Sequence, residues 1–171
     1  SRITEDLLRL TRLDSDLLDA PETVEVAPVL EQVMRMMSLL AQKKGTELTY
    51  RMEENCRVSA TKGEVHQVIY NLTDNAVKYS GGCDYIELTV TTRERSAIFT
   101  VRDYGVGLSP EMIDSLFIPI NRTDTESSHG LGIGLSICRS VIRAHGGQIT
   151  GANSPDKGAI FTFTLPMEET L

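Results

Sequence analysis

The chain has 171 residues, of which 40% are hydrophobic and 24% are charged, and its formal net charge is −7. This size fits one domain with an appendage, and no apolar run approaches the roughly 20 residues needed to span a bilayer. The acidic balance disfavours a nucleic-acid binder, whose binding face is basic, and three scattered cysteines without a CxxC pair leave a zinc site unsupported and favour reduced thiols in the cytosol.

The first predicted element is a helix over residues 3–18. Its leucines and Ile3 recur at spacings of three and four, which gives the helix one apolar face. Pro21 ends the pattern. A helix of this length cannot form a core alone. It is therefore either a terminal helix docked on the domain or, as we favour, the end of a longer coiled-coil or bundle helix.

Beyond Pro21, hydrophobic periodicity and turn residues divide the chain into helices and strands. Helices are predicted over residues 27–44, 62–79, 110–117 and 131–145, and strands over residues 46–52, 57–60, 85–91, 97–103, 148–151 and 159–165. Residues 118–130 show no period and are expected to form a polar loop. Because most strands come in hairpin-like pairs, the pattern favours an α+β two-layer sandwich over a parallel doubly wound sheet.

The helix predicted over residues 62–79 carries an unusual polar stripe. Gln67, Asn71, Asp74, Asn75 and Lys78 lie within one arc of about 100°. Asn and Asp are normally avoided inside helices because their side chains compete for backbone groups. The stripe is either a solvated face or the wall of a ligand site. In the second case, amide oxygens could ligate Mg²⁺, while amide nitrogens and the lysine could contact phosphate.

A second candidate feature follows the strand that carries Phe99 and Val101. Alternation along this strand places Asp103 on the same apolar face. A buried carboxylate is costly unless it meets strong donors. Asp103 is therefore either a simple turn former or an acceptor for a neutral NH₂ group, such as the exocyclic amine of adenine. Gly105 and Gly107 would allow the backbone to pass close to such a base.

The third feature is a glycine-rich stretch in which Gly130, Gly132 and Gly134 alternate with apolar residues next to a predicted helix. Such glycines can curve backbone N–H groups around an anion, and the helix dipole adds to this effect. The motif is weak alone. Leu135 breaks the Rossmann fingerprint, and the Gly-Lys-Ser/Thr ending of a P-loop is missing.

Together, in this order and spacing, the three features resemble the N, G1 and G2 boxes of the GHKL ATPase superfamily, and of sensor histidine kinases in particular. The matching segments are residues 66–79 for the N box, 103–107 for G1, 116–122 for the F box, 130–135 for G2, and 145–147, 158 and 165–166 for the end of the domain. The resemblance covers residues 21–167. Residues 6–15 are similar to the end of the second helix of the family's dimerisation domain.

The resemblance implies a Bergerat-type sandwich, in which helices cover one face of a mixed sheet and ATP binds beneath a mobile lid at about residues 118–130. In it, Asn71 would ligate Mg²⁺ and Arg122 would reach the γ-phosphate from the lid. The implied catalytic residues are Gln67, Asn71, Lys78 and Arg122. The implied nucleotide-binding residues are Asn71, Asn75, Lys78, Asp103, Gly105, Gly107, Phe117, Gly130, Leu131, Gly132, Gly134 and Leu135.

Gln67 distinguishes between branches of this superfamily. In its hydrolysing branches, such as the Hsp90 chaperones and MutL, this place carries a glutamate that activates water. Glutamine cannot act as that base. The resemblance therefore implies a histidine kinase, which transfers the γ-phosphoryl group of ATP to a histidine on a dimerisation domain and then to an aspartate on a response regulator.

We accordingly expect residues 1–18 to be a stub of the dimerisation domain and residues 21–171 to be the catalytic domain. The expected partners are the missing dimerisation domain and a response regulator, with no nucleic acid. The fragment should be monomeric and the full kinase a homodimer, with this domain in the cytoplasm and its parent anchored in the inner membrane. Two alternatives remain: a serine kinase of the anti-sigma-factor type, and a nucleotide-binding signalling module without catalysis.

Overall fold

The structure, a computed structural model, describes residues 22–79, 85–118 and 131–168. The strands are β1 (Glu22–Glu25), β2 (Glu47–Met52), β3 (Arg57–Ala60), β4 (Tyr85–Arg93), β5 (Ser96–Asp103), β6 (Ile149–Asn153) and β7 (Ala159–Pro166). The helices are α1 (Val26–Lys43), α2 (Lys62–Tyr79), α3 (Pro110–Ser115) and α4 (Leu131–Ala144). The helix predicted over residues 3–18, and all of the predicted loop except Ile118, lie outside the described residues.

Five strands form a mixed sheet in the order β2-β4-β5-β7-β6. The β2–β4 pair is parallel, whereas the β4–β5, β5–β7 and β6–β7 pairs are antiparallel. Alternate residues of the central strands β5 and β7 are buried, as a sheet with one covered face requires. Phe99 and Phe163 are partners across these strands, and their stacked rings lie 4.4 Å apart.

Three helices cover the buried face of this sheet. α1 packs against β2 and α2, α2 packs against β5 and α4, and α4 packs against β6 and β7. The residues that alternate with the buried ones on β5 and β7 are partly exposed. The predicted α+β sandwich, a mixed sheet with helices on one face, is therefore confirmed. Within the described ranges, no helix combines the length and apolar character needed to cross a membrane.

Local sequence signals account for several helix ends. Gly45 follows α1 with φ +73°, and its N–H donates to the carbonyl oxygen of Gln42. This left-handed conformation is the one that a helix C-terminus favours for glycine. At the start of α3, the hydroxyl of Ser109 accepts from the Met112 N–H at 3.2 Å, and Pro110 occupies the first turn. Both ends were predicted from these residue types.

The structure also contains an element that the sequence pattern does not predict. β1 pairs antiparallel with β3 in a separate two-stranded sheet, in which Val24 lies opposite Val58. Of its four residues, Val24 alone is buried, so the strand shows no alternation long enough to be recognised. It runs directly into α1, which begins at Val26 rather than at the predicted residue 27.

Candidate functional site

The polar stripe of α2 is largely removed from solvent. Asn71 is 6% exposed and Asp74 is 4% exposed, while Gln67 and Asn75 are partly buried. The alternative of a solvated face is therefore wrong for the centre of the stripe. Burying an amide or a carboxylate costs free energy unless the group finds hydrogen-bonding or charged partners. The stripe must accordingly be satisfied by the protein or by a ligand.

Asn71 is oriented by the neighbouring helix α4. Its Nδ2 donates to the Sγ of Cys138 at 3.8 Å, a contact that joins the N-box helix to the helix that follows the glycine motif. Cys138 is fully buried, and its sulfur is a weak acceptor. With the amide nitrogen directed at α4, the carboxamide oxygen is the Asn71 atom that could ligate a hard cation.

Lys78 and Asp74 form an ion pair within α2. The Lys78 Nζ lies 3.0 Å from the Asp74 Oδ2, at the i,i+4 spacing that brings side chains together on a helix. The Lys78 side chain is 45% exposed, whereas that of Asp74 is 6% exposed. The buried Asp74 carboxylate thus positions the accessible Lys78 ammonium at the C-terminal end of the polar stripe.

Asn75 contributes the least satisfied group of the stripe. Its Nδ2 is buried and has no hydrogen-bond partner within the described ranges. An unsatisfied buried donor typically costs about 1–3 kcal/mol. An acceptor atom supplied by a ligand would offset that cost.

Asp103 ends the buried face of β5, as the alternation predicted, and is 7% exposed. Its Oδ1 accepts from the Gly105 N–H at 3.0 Å and from the Ala159 N–H at 3.2 Å. Oδ1 therefore shapes the turn, as the first interpretation expects, and the adenine-acceptor interpretation stays a prediction. The other oxygen, Oδ2, accepts from no donor in the part of the chain that the structure describes, so it is available to a ligand.

The segment that follows, residues 103–108, is called the G1 loop below. Gly107 has φ +79°, and a Cβ there would lie 2.7 Å from the Asn153 Oδ1. Gly158, with φ +86°, faces Asp103 so closely that a Cβ would overlap its carbonyl oxygen. Backbone strain and close approach both require glycine at these two positions.

The residues on either side of Asp103, Arg102 and Tyr104, form an aromatic and cationic cluster with Tyr85. The Arg102 guanidinium lies 4.3 Å from the centre of the Tyr104 ring, and the Tyr85 and Tyr104 rings lie 4.4 Å apart. A hydrogen bond with Tyr85 is the main cause that raises the pKa of the Tyr104 phenol. Arg102 also donates to the Ser154 hydroxyl at 3.0 Å, which ties β5 to the β6–β7 turn.

The remaining predicted site residues are placed only in part. Phe117 is partly buried, with the Arg139 guanidinium 5.8 Å from its ring, and the Leu135 side chain is fully buried in the core. α4 begins at Leu131, so Gly132 and Gly134 lie in its first turn rather than in a loop before it. The first four N–H groups of a helix lack acceptors within it, which suits an anion. Arg122 and Gly130 lie outside the described residues.

Sequence reasoning missed the residues that support the site from a distance. Asn153 bonds to the backbone of Leu108 in the G1 loop, and Ala159 donates to Asp103. Neither Asn153 nor Ala159 belongs to one of the sequence motifs described above. Their roles arise from the pairing of β5 with β7 and of β7 with β6, which a single sequence does not reveal.

Comparison with known proteins identifies the family of the chain. The family described as histidine kinase-, DNA gyrase B-, and HSP90-like ATPase matches residues 60–169. The sensor protein KdpD of Clostridium acetobutylicum is 32% identical over 98% of this chain, which spans 19% of that protein. The sensory kinase SasA of Parasynechococcus marenigrum is 31% identical over 96% of this chain, which spans 44% of it. The chain thus covers less than half of these curated relatives.

Among solved structures, full-length ShkA in complex with AMPPNP superimposes with a TM-score of 0.82 and is 27% identical. The match covers 96% of this chain and 35% of ShkA. The family match spans more than half of the chain, and the two curated relatives are named as a sensor protein and a sensory kinase. The chain belongs to the histidine kinase-, DNA gyrase B- and HSP90-like ATPase family, as an ATP-binding catalytic domain of the sensor histidine kinase type.

Proposed function

We propose that this chain binds Mg·ATP between α2, α4 and the G1 loop and presents the γ-phosphoryl group to a histidine on the dimerisation domain of its parent kinase. The observation that carries the proposal is the state of Asp103. Two backbone N–H groups fix its Oδ1, while no donor in the described ranges reaches its Oδ2. This carboxylate is thus a preorganised acceptor at the end of a buried face.

Adenine suits this acceptor better than guanine. The exocyclic amine of adenine donates a hydrogen bond, which a carboxylate oxygen accepts strongly. Guanine has a carbonyl oxygen at the same ring position, and two acceptors facing each other repel. We therefore assign recognition of the base to Asp103, with Gly105 and Gly107 allowing close approach of the loop.

The other end of the site has groups that suit phosphate and metal. The unpartnered Nδ2 of Asn75 would meet a phosphate oxygen, and Lys78 would supply positive charge. The Asn71 carboxamide oxygen would hold Mg²⁺, which usually takes few protein ligands together with substrate phosphates. Bound there, the ion would neutralise charge on the phosphates. The N–H groups at the start of α4 would contact the triphosphate.

Phosphoryl transfer depends mainly on positioning and on charge stabilisation, so these binding contacts are also the catalytic ones. Gln67 cannot deprotonate water, which favours a protein acceptor over hydrolysis. Arg122 and Gly130, together with the lid at about residues 118–130, remain predictions. The proposed partners are the dimerisation domain, through which the parent would form a homodimer, and a response regulator. The proposed location is the cytoplasmic side of a membrane-anchored parent.

Base recognition is tested by isothermal calorimetry with ATP and GTP. Loss of a charge-assisted hydrogen bond costs about 1.5–3 kcal/mol, so Asp103→Asn should weaken ATP binding roughly 10- to 150-fold. Asp114→Asn, which changes an exposed carboxylate on α3, is the control and should bind ATP normally. Equal affinities of the unchanged chain for ATP and GTP would refute the assignment of Asp103 to adenine.

Transfer is tested with radiolabelled ATP and a separately produced dimerisation domain from the same parent. The chain should label that domain slowly, because tethering is lost, and the label should be acid-labile and base-stable. Asn71→Ala should abolish the transfer. Acid-stable label on serine would instead support the anti-sigma-factor type of kinase, and ATP binding without any transfer would support a non-catalytic module.

A further inference from the structure

We propose that Asn153 is a positioning residue for base recognition: its side chain clamps the G1 loop and thereby sets where a nucleotide base lies against Asp103. The proposal rests on the proposed binding of adenine by Asp103. Asn153 is the last residue of β6 and contacts the G1 loop from outside the three sequence boxes.

The clamp consists of two hydrogen bonds to one residue. The Leu108 N–H donates to the Asn153 Oδ1 at 2.6 Å, and the Asn153 Nδ2 donates to the Leu108 carbonyl oxygen at 2.8 Å. A backbone N–H can only donate and a carbonyl can only accept, so these partners determine which way the amide points.

The same hairpin holds the other end of the G1 loop. Asn153 and Ala159 are register partners at the end of the β6–β7 ladder, and the Ala159 N–H donates to the Asp103 Oδ1. The Ser154 N–H donates to the Gly158 carbonyl oxygen at 2.8 Å and closes the turn between them. One hairpin end thus fixes the first and the last residue of the G1 loop, Asp103 and Leu108.

The glycine next to Leu108 shows how tightly this clamp fits. A Cβ on Gly107 would lie 2.7 Å from the same Oδ1 that accepts from Leu108. The loop backbone therefore rests against the Asn153 amide, with no space for a side chain between them. Loss of the amide removes both hydrogen bonds that hold the end of the loop at Leu108, so the gap that receives the base widens or shifts.

Base position and phosphate binding respond differently to this loss. We compare calorimetric affinities for ATP and for purine riboside triphosphate, which lacks the exocyclic amine, and take their ratio as the readout. The unchanged chain should bind ATP roughly 10- to 150-fold more tightly than the analogue, which is the fold-change expected from one hydrogen bond to a charged group. Asn153→Ala should weaken ATP binding about 3- to 10-fold, as expected for neutral hydrogen bonds, with little change for the analogue.

Two further variants sharpen the test. Asn153→Asp keeps the acceptor for the Leu108 N–H but replaces the donor with an oxygen that faces the Leu108 carbonyl. Its ratio should fall between those of the unchanged chain and Asn153→Ala. Lys157→Ala alters an exposed residue of the same turn and should leave both affinities unchanged.

The outcomes separate the two proposals. If the unchanged chain does not discriminate between the two nucleotides, the assignment of Asp103 fails and this inference fails with it. If it discriminates and a folded Asn153→Ala keeps the same ratio, the clamp alone is refuted. An equal loss of both nucleotides would show a merely structural role and also refute it. Should Asn153→Ala fail to fold, a native ratio in Asn153→Asp overturns the proposal.

Discussion

The two ends of the candidate site are built in opposite ways. At the base end, Asp103 is fixed by two backbone donors, and the loop that follows it is held at Leu108 by the Asn153 amide. At the phosphate end, Asn75 keeps a buried donor without a partner in the described ranges, and the Lys78 ammonium is half exposed. At one end the protein itself holds the acceptor in place, although the Asp103 Oδ2 stays open to a ligand, whereas the other end leaves a buried donor for a ligand to satisfy.

This difference matches what each end is proposed to recognise. A base is flat and neutral, and selectivity for it depends on an acceptor held in one place before binding. A triphosphate is highly charged, so donors and cations gain most when they meet it directly in a site that excludes water. The base end should therefore add to the stability of the nucleotide-free chain, and the phosphate end should subtract from it.

The largest effect is expected where the base end is packed most closely. Gly158→Ala should lower the free energy of unfolding by about 2–4 kcal/mol, because its Cβ would overlap the Asp103 carbonyl and its φ is +86°. Gly63→Ala is the matched control: it has nothing within 4 Å and no positive φ, and should be neutral or stabilising by up to about 1 kcal/mol. Urea unfolding measures both, and equal effects would contradict the close packing at Asp103.

An intermediate effect of opposite sign is expected at the phosphate end. Asn75→Leu replaces the unpartnered buried donor with a methyl group in a side chain of the same number of heavy atoms, so it should raise the free energy of unfolding of the nucleotide-free chain by about 1 kcal/mol. ATP binding should weaken in the same variant. Asp103→Asn should instead lower both quantities. Denaturant titration measures the stability of the two variants, and calorimetry measures their affinity for ATP. The two stability changes should have opposite signs, and an Asn75→Leu variant less stable than the unchanged chain would contradict this expectation.

The smallest effect on stability is expected at Lys78. Its pair with Asp74 is exposed on the lysine side, and such pairs contribute about 0.5 kcal/mol or less. Lys78→Met should thus leave unfolding nearly unchanged, yet weaken ATP binding and reduce its dependence on salt. Lys43→Met, at the exposed end of α1, is the control and should alter neither. ATP affinities measured at low and high salt test this assignment. If Lys78→Met shows the same salt dependence as the unchanged chain, Lys78 does not contact the phosphates.

Residues whose role depends on local periodicity were predictable from the sequence. Alternation along β5 placed Asp103 on the buried face, and the helical period grouped the polar residues of α2. The supporting contacts were not predictable, because each joins two residues that are far apart in the chain, by 45 positions in one case and 56 in the other. The order of the strands in the sheet brings these residues together. β1 was not predicted because a strand of four residues is too short to show the alternation of buried and exposed side chains.

The contact between Asp103 and Ala159 has a consequence for the order in which the protein is made. Ala159 follows Asp103 by 56 residues, so on the ribosome the proposed adenine acceptor remains incomplete while α3, α4 and β6 are synthesised. β7, which pairs with the central strand β5, also emerges after the other strands that the structure describes. A ligand stabilises only the states that bind it. If Asp103 binds adenine as proposed, cellular ATP would protect the folded domain from unfolding but would not assist the nascent one.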